Sequence, residues 1–342
     1  MSRTLPRDRP LTELHCHLGG AVAPAIMWGI AHAQGIRLPT KDYWEFRELI
    51  TVSARRGRSF DGYLDLFHWT ELIQSSPIAV ERSVYEVIGG AYRKNNITTT
   101  ELRFNPMKRN RGGERDLDHI ILAAIRGLDR ARLEYPQVRA GLILMMDRTF
   151  DADLNMIIVR KAVSWASRGV VGIDIAGPRP GGRRYEYGQI AAHMDFARAA
   201  GLGVTVHVGE EGGDVGRAEI ADVVDRLRPD RIGHGILAAS DPPLMDAIRE
   251  AGVVLELCPT SNLLTKALAD EDVLGTTVRA FADSGVAFTI ATDGPEMMRT
   301  HLRDEFELLL RIGALDLEEA RAANARGHEA TFVRSESLLP AA

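Results

Sequence analysis

The sequence contains few of the residues that mark secreted, disulfide-linked or membrane proteins. Cysteine occurs only twice in 342 residues, at Cys16 and Cys258, which gives no sign of a disulfide framework and fits a reduced compartment. No apolar run approaches the ~20 residues that a membrane span needs. The first residues, MSRTLPRDRPLTEL, lack the apolar stretch of a signal peptide. We therefore expect a cytoplasmic protein that does not act in a membrane.

A basic excess is also absent. The chain has 42 Lys and Arg residues against 47 Asp and Glu, a formal net charge of -5. General nucleic-acid binders usually carry an excess of positive charge, so we expect no nucleic-acid partner, although a nucleoside-sized substrate is not excluded. No Ser/Gly-rich linker or low-complexity segment divides the chain. Residues 1–342 are therefore predicted to form a single domain.

The second half of the sequence repeats one pattern, in which an amphipathic helix is followed by a glycine and a short apolar strand. The glycines, Gly169, Gly201, Gly252 and Gly285, stand where the end of a helix requires a left-handed backbone. The strands that follow are continuous apolar runs rich in Val and Ile. Such runs are typical of parallel strands that are covered on both faces.

Strand segments recur along the whole chain and are mostly separated by helical patterns. They are LTELHCH, TTTELRF, GLILMM, VVGIDI, VTVHV, DRIGHG, VVLEL and AFTIAT. This alternation of strands and helices indicates an α/β fold of the TIM-type (β/α)8 barrel class, with an open doubly wound sheet as the alternative. About eighty residues separate the first two strands, more than a crossover requires. We predict that they form a helical insertion after strand 1 that acts as a lid.

Histidines and carboxylates recur at the predicted C-terminal ends of the strands, where barrel enzymes carry their active sites. His15 and His17 share one face of the first strand, because alternate residues of a strand point to the same side. Further polar residues at strand ends are Asp174, His207, His234 and Asp293. One such histidine alone would be read as a solvated strand end. Together, His15, His17, His207 and Asp293 offer three nitrogens and one oxygen, a set that suits a divalent ion, above all zinc.

Several motifs carry a resemblance to a known family. ELHCHLGG, VTVHVGE, RIGHG, LCPTSN and ATDGP occur in the order and spacing of the adenosine deaminase family of the amidohydrolase superfamily. SFDGYLDLFH and TTELRFNP are similar to further segments of that family, so the likeness runs from about residue 11 to residue 334. Each motif alone is weak evidence of kinship, but five in order are specific.

The resemblance implies a set of site residues. His15, His17, His207 and Asp293 would bind one zinc ion per chain, in agreement with the ligand set found at the strand ends. Glu210 would donate a proton to the ring nitrogen beside the carbon under attack. His234 would orient the attacking water and stabilise the developing charge. Gly177 matches a backbone contact to purine N3.

Two departures from the family pattern concern the substrate. Gly19 stands where the family usually carries an aspartate that contacts the ribose 5′-hydroxyl, and Gly294 replaces an aspartate that holds purine N7. Plain adenosine is therefore in doubt as the substrate. Arginines could instead bind an anionic 5′ extension. The candidates are Arg179, Arg183 and Arg184 after strand 4, and Arg55, Arg56 and Arg58 in the insertion.

We therefore predict a zinc-dependent aminohydrolase that deaminates a 6-aminopurine nucleoside or a derivative and releases ammonia. One alternative substrate is a 5′-modified adenosine, such as 6-aminodeoxyfutalosine or a nucleotide. A second alternative is an amidohydrolase that acts on a different heterocycle. A third is a non-catalytic relative, which would have no need of the metal ligands together with Glu210 and His234. The predicted partner is a small purine compound, and the sequence makes no prediction of the oligomeric state.

Overall fold

The architecture is an eight-stranded parallel barrel surrounded by helices, seen in a computed structural model that describes residues 4–53, 59–111 and 113–334. The strands follow one another in chain order around the sheet, and every neighbouring pair is parallel. They are β1 (Leu11–His17), β2 (Ile97–Phe104), β3 (Arg139–Asp147), β4 (Val170–Ala176), β5 (Gly203–Val208), β6 (Arg231–His234), β7 (Val254–Leu257) and β8 (Phe288–Ile290). Each overlaps its predicted segment, and their ends differ by one or two residues at most.

Helices fill the connections between the strands. The segment between β1 and β2 holds α1 (Leu18–Ala21), α2 (Pro24–Ala33), α3 (Tyr43–Ile50), α4 (Phe60–Ile73) and α5 (Pro77–Asn95). The remaining helices are α6 (Leu117–Glu134), α7 (Ala152–Ser164), α8 (Ala191–Ala199), α9 (Gly213–Asp222), α10 (Pro242–Glu250), α11 (Pro259–Leu264), α12 (Glu271–Asp283), α13 (Pro295–Met298), α14 (Leu302–Arg311) and α15 (Leu317–Ala330). Within the described residues, no helix is both long and apolar enough to cross a membrane.

The barrel closes at the functional end of its first strand. Cys16 of β1 forms a parallel bridge with Asp293, just beyond β8. The Asp293 amide donates to the carbonyl of His15 at 2.9 Å, and the His17 amide donates to the carbonyl of Asp293 at 2.7 Å. This closure confirms the predicted barrel and excludes the open doubly wound sheet.

The predicted helix-ending glycines have the expected backbone. Gly169, Gly201, Gly252 and Gly285 all have positive φ, between 69° and 110°. A side chain is disfavoured in this region, so glycine ends each helix and lets the chain turn into the next strand.

The predicted insertion after β1 is helical, as expected. Its helix α4 lies against the C-terminal mouth of the barrel and lines the cavity there with Tyr63, Phe67 and Glu71. The predicted action of this insertion as a lid stays a prediction.

The N-terminal end of the barrel is closed by an aromatic ring near the C-terminus. Phe332 lies against the Arg231 guanidinium, whose carbon is 3.6 Å from the ring centroid. The same ring covers Gly172 and Gly203, where a Cβ atom would overlap it. Glycine at these two strand positions therefore makes room for the ring that closes the barrel.

This packing predicts the effect of adding a methyl group at position 203. We expect Gly203→Ala to lower the free energy of unfolding by about 1–3 kcal/mol, because an overpacked core must displace side chains or backbone. Gly90→Ala is the matched control, since a Cβ added at Gly90 in α5 would have no described residue within 4 Å apart from the backbone of its own helix and its chain neighbours. It should be neutral or stabilise the protein by up to about 1 kcal/mol. Urea unfolding of both variants measures this, and equal midpoints would contradict the packing argument.

Candidate active site

A cavity of about 340 Å³ opens at the C-terminal ends of the strands. This volume lies in the range of small-molecule sites. The barrel contributes His17, His207 and His234 to its wall, and Glu210 and Asp293 follow directly on strand ends. The structure therefore brings five of the predicted metal and catalytic residues to one cavity.

Three histidines converge beside this cavity. His15, His17 and His207 each contribute one ring nitrogen to a cluster, and these three nitrogens lie within 4.8 Å of one another. Nε2 of His17 is 3.0 Å from Nε2 of His207 and 3.5 Å from Oδ1 of Asp293. Nε2 of His15 is buried and has no hydrogen-bond partner among the described residues. Buried nitrogen lone pairs that face one another and accept no hydrogen bond can be satisfied by a bound metal ion.

Two buried carboxylates fix the orientation of these rings. Nδ1 of His15 donates to Oε2 of Glu256 at 2.7 Å, and Nδ1 of His207 donates to Oδ1 of Asp174 at 3.0 Å. Because each Nδ1 carries the proton, each Nε2 offers its lone pair to the common centre. Arg103 lies between the two carboxylates, 3.0 Å from Asp174 and 2.9 Å from Glu256. This arrangement is the usual outer support of metal-binding histidines.

The protonation states also suit metal binding. Burial lowers the pKa of His15, His17 and His207 well below the usual histidine value. All three are thus neutral near pH 7, which is the form that binds a metal. His15, His234 and Cys258 form a second possible group, but burial raises the pKa of the Cys258 thiol well above its usual value. The thiolate that a metal needs is therefore disfavoured there.

Asp293 is held on the other side of the histidines. The Tyr63 hydroxyl donates to its Oδ1 at 3.0 Å, and the Ser261 hydroxyl donates to its Oδ2 at 2.7 Å. Its backbone has a φ of 64°, and His234 has a φ of 63°. Non-glycine residues adopt this left-handed region at a cost of about 1–3 kcal/mol, and they persist there only where neighbouring contacts hold them. The strand-closing hydrogen bonds supply those contacts for Asp293.

Glu210 and His234 lie side by side in the cavity wall. Oε2 of Glu210 is 3.5 Å from Nε2 of His234, and Oε1 accepts a hydrogen bond from the Thr265 hydroxyl at 3.3 Å. Burial raises the pKa of Glu210 to about 7. The Asn262 amide donates to Nδ1 of His234 at 3.0 Å, so the proton of this imidazole is on Nε2, beside Glu210. The pair can therefore hold and deliver a proton near neutral pH.

The sequence as a whole is similar to those of known deaminases. Residues 10–338 match the family model described as adenosine deaminase. The chain belongs to the adenosine deaminase family. An adenosine deaminase of Shewanella woodyi is 30% identical over 328 residues, which cover 96% of this chain and 95% of that protein. Family membership makes the chain a deaminase of the hydrolase class, and its histidine cluster fits the metal dependence of that family.

Solved structures show the same fold. The adenine deaminase of Arthrobacter aurescens superposes with a TM-score of 0.83 at 21% identity, covering 95% of this chain and 94% of that one. The N6-mAMP deaminase of Arabidopsis superposes with a TM-score of 0.82 at 24% identity, covering 96% of this chain and 95% of that one. At such identities the likeness concerns the fold alone.

The two glycines that depart from the family pattern are both buried among side chains. A Cβ atom at Gly19 would lie 2.8 Å from the ring of Phe67 and 3.2 Å from Nη2 of Arg109. A Cβ atom at Gly294 would lie 2.7 Å from the Tyr63 hydroxyl. Neighbouring residues of this chain have therefore taken the space that larger side chains would need. Gly177, Gly19 and Gly294 are the three predicted substrate-site positions, and of these Gly177 and Gly19 are among the residues that line the cavity.

The structure places the predicted anion-binding arginines differently. Arg179 lines the cavity but forms ion pairs with Glu211 at 2.9 Å and Glu219 at 3.8 Å. Arg183 is exposed and is not among the residues that line the cavity, and its contact with substrate stays a prediction. Arg184 pairs with Asp222. Arg55, Arg56 and Arg58 lie outside the described residues.

Sequence reasoning missed several residues that shape the site. They are Tyr63, Arg103, Glu256, Ser261 and Asn262, which hold the predicted ligands and His234 in position. Arg103 and Glu256 offered a signal, because a charged residue inside an otherwise apolar strand must be paired in the interior. Tyr63 lies in the insertion and reaches Asp293 only through the tertiary fold.

The contact between Tyr63 and position 294 can be tested with a double-mutant cycle. We expect Gly294→Ala to destabilise the protein by about 1–3 kcal/mol, because the added methyl group displaces the hydroxyl that donates to Asp293. In a Tyr63→Phe background the same substitution should cost less, since the hydroxyl is gone. Denaturant midpoints of the four proteins give the coupling energy. A coupling energy of zero would show that the two positions do not compete for space.

Proposed function

We propose that this chain hydrolytically deaminates a 6-aminopurine nucleoside or a derivative of one, releases ammonia and uses one zinc ion. The observation that carries the proposal is the position of Glu210, a largely buried carboxyl beside His234 in the cavity next to three converging histidines. Membership of the adenosine deaminase family supports deamination of adenine-type compounds.

The metal ligands in this proposal are His15, His17, His207 and Asp293. The buried Nε2 of His15, which lacks a partner among the described residues, and the histidine-rich donor set fit zinc. When bound, zinc lowers the pKa of water from ~16 to about 7 and so supplies a nucleophile near neutral pH.

Glu210 acts as the general acid and supplies a proton to the purine. With its pKa raised to about 7 by burial, a substantial fraction of Glu210 is protonated at neutral pH. Its proton passes to the ring nitrogen beside the amino-bearing carbon, which makes that carbon more open to attack by water. The carbon then gains the oxygen of the water, one proton of that water passes to the amino group, the carbon–nitrogen bond breaks and ammonia leaves. The other proton of the water restores the acid form of Glu210.

His234 orients the attacking water. The hydrogen bond from Asn262 fixes the proton of His234 on Nε2, which faces the cavity and Glu210. Burial lowers the pKa of His234, so the ring is neutral and donates one hydrogen bond from this position. A fixed donor of this kind stabilises negative charge that develops on the incoming oxygen.

A substrate panel tests the proposed reaction. Protein supplied with zinc is incubated with adenosine, 2′-deoxyadenosine, adenine and AMP, while ammonia and the ultraviolet spectrum are followed. We expect ammonia together with the hypoxanthine-type spectral shift for at least one compound. The absence of both from every compound would contradict the proposed function.

Metal analysis tests the ligand assignment. We expect one zinc ion per chain in the parent protein, and a loss of metal affinity of at least about 10-fold in His17→Ala and in Asp293→Ala. His193→Ala is the control, since His193 is a buried histidine whose Nε2 donates to the carbonyl of Ala152, and neither residue lines the cavity. Parent-like metal content in both ligand variants would refute the assignment.

The role of Glu210 predicts both a mutational effect and a pH dependence. Glu210→Gln should keep the fold and the metal but lose ~10²-fold or more in kcat, because the amide has no proton of suitable acidity to give. In the parent protein, kcat/KM should fall as the pH rises through the pKa of Glu210, since the acid form is the active one. Glu211→Gln, the control, removes a carboxylate that pairs with Arg179. A turnover in Glu210→Gln within about threefold of the parent would remove Glu210 from the mechanism.

A further inference from the structure

Three cationic side chains line one side of the cavity. Lys108, Arg109 and Arg111 follow β2 and all contribute to the cavity wall. None of them was among the arginines that the sequence suggested for anion binding.

Arg109 is the central member of this group and is buried, with 2% of its surface exposed. Its Nε and Nη1 atoms have no hydrogen-bond partner among the described residues. The carboxylate of Glu71 lies 3.5 Å from Nη1, as an ion pair without a hydrogen bond. Burial lowers the pKa of Arg109, so the nearby carboxylate does not offset the loss of solvent. A guanidinium with unused donors is costly to bury unless a ligand pairs with it.

Within the described residues, the neighbouring carboxylates compensate this guanidinium only in part. Glu71 is shared, because its other oxygen lies 3.6 Å from Arg111. Lys108 pairs with Asp147 at 2.5 Å. Three positive charges thus face two paired carboxylates. The further carboxylate on this side of the cavity, Asp65, is exposed to solvent.

We propose that Arg109, assisted by Lys108 and Arg111, binds an oxyanion on the substrate, either a phosphate or a carboxylate. The planar fork of an arginine suits both groups, because each offers two oxygens in one plane. The inference rests on the proposed function, since it adds an anionic group to the 6-aminopurine nucleoside.

The position of Arg109 indicates which end of the substrate carries the anion. Nη2 of Arg109 lies 3.2 Å from the point where a side chain at Gly19 would begin, and residue 19 comes two residues after His17. The phenyl ring of Phe67 lies over the same glycine and 6.1 Å from the His17 ring, between centroids. The guanidinium is thus beside the metal-binding strand end, in the place that the family resemblance gives to the ribose 5′ end. The anion is therefore a 5′ substituent.

Paired ligands test this inference without depending on turnover. Inosine and IMP differ only by the 5′-phosphate, and calorimetric titration of the metal-loaded protein compares them. We expect IMP to bind at least about 10-fold more tightly than inosine, the effect of a charge-assisted hydrogen bond. Arg109→Gln should remove most of this preference. Arg115→Gln, which removes an exposed arginine of the same loop outside the cavity wall, should retain it.

Turnover of paired substrates then separates the two oxyanions. Adenosine, AMP and adenosine 5′-carboxylate are compared by ammonia release, and the anion with the higher kcat/KM identifies the group. Arg109→Gln should lower kcat/KM for the anionic substrates by about 10- to 100-fold more than for adenosine. A raised KM with an unchanged kcat distinguishes weaker substrate binding from a general loss of structure.

Specific outcomes would overturn the proposal. The first is equal affinity of the parent protein for IMP and inosine, together with no preference for either anionic substrate in turnover. The second is a folded Arg109→Gln variant that loses affinity for neutral and anionic ligands to the same extent. If circular dichroism shows that this variant does not fold, the affinities of Lys108→Gln and Arg111→Gln for IMP and inosine are compared instead, and an unchanged preference for IMP in both overturns the proposal. Failure of the proposed function is a different result, in which no substrate releases ammonia although IMP still binds through Arg109.

Discussion

The site depends on one buried guanidinium that holds two carboxylates in place. Arg103 contacts Asp174 and Glu256, and these carboxylates accept the Nδ1 protons of His207 and His15. This choice of tautomer directs the other ring nitrogens toward the metal position. A buried ion pair contributes little net stability, because desolvation offsets most of the attraction. Its effect here is geometric: without Arg103, two adjacent buried carboxylates would repel each other and the histidines would lose their fixed orientation.

The same network extends toward the opposite end of the barrel. Arg231 donates to Glu256 from Nε at 2.7 Å and also pairs with Glu101, while Phe332 covers its guanidinium. The positive charges beside Glu256 hold the pKa of this carboxyl at about 2, so it stays ionised inside the barrel. The barrel interior is therefore a chain of paired charges that begins under Phe332 and ends at His15. The packing at the closed end and the orientation of His15 at the open end therefore depend on one connected network of side chains.

The features of this protein that could be predicted from sequence are those that depend on residues close together in the chain. Continuous apolar runs and helix-ending glycines predicted the strands, because both depend on neighbouring residues. His15 and His17 could be recognised as candidate metal ligands because they end a strand that was itself predictable. Arg109 and Arg183 show where local patterns fail. Both are arginines of polar loops after strands, yet one is buried in the cavity wall and the other is exposed. Only tertiary packing decides which.

The two halves of the site come from different parts of the fold. The strand ends carry the proposed metal ligands and proton donor. Hydrogen bonds of His15, His17 and Asp293 also close the barrel, so a shift of one of these residues would disturb the fold. The insertion and the loop after β2 form the other wall, where Tyr63, Phe67 and Arg109 fill the space beside Gly294 and Gly19. A glycine at position 19 or 294 does not enlarge the cavity, because a neighbouring side chain occupies the space beside it. At Gly19 that neighbour brings a positive charge. On the proposal for Arg109, selectivity can change from a neutral to an anionic substrate while the strand-end half stays the same, because a buried charge that is only partly compensated disfavours ligands that cannot match it.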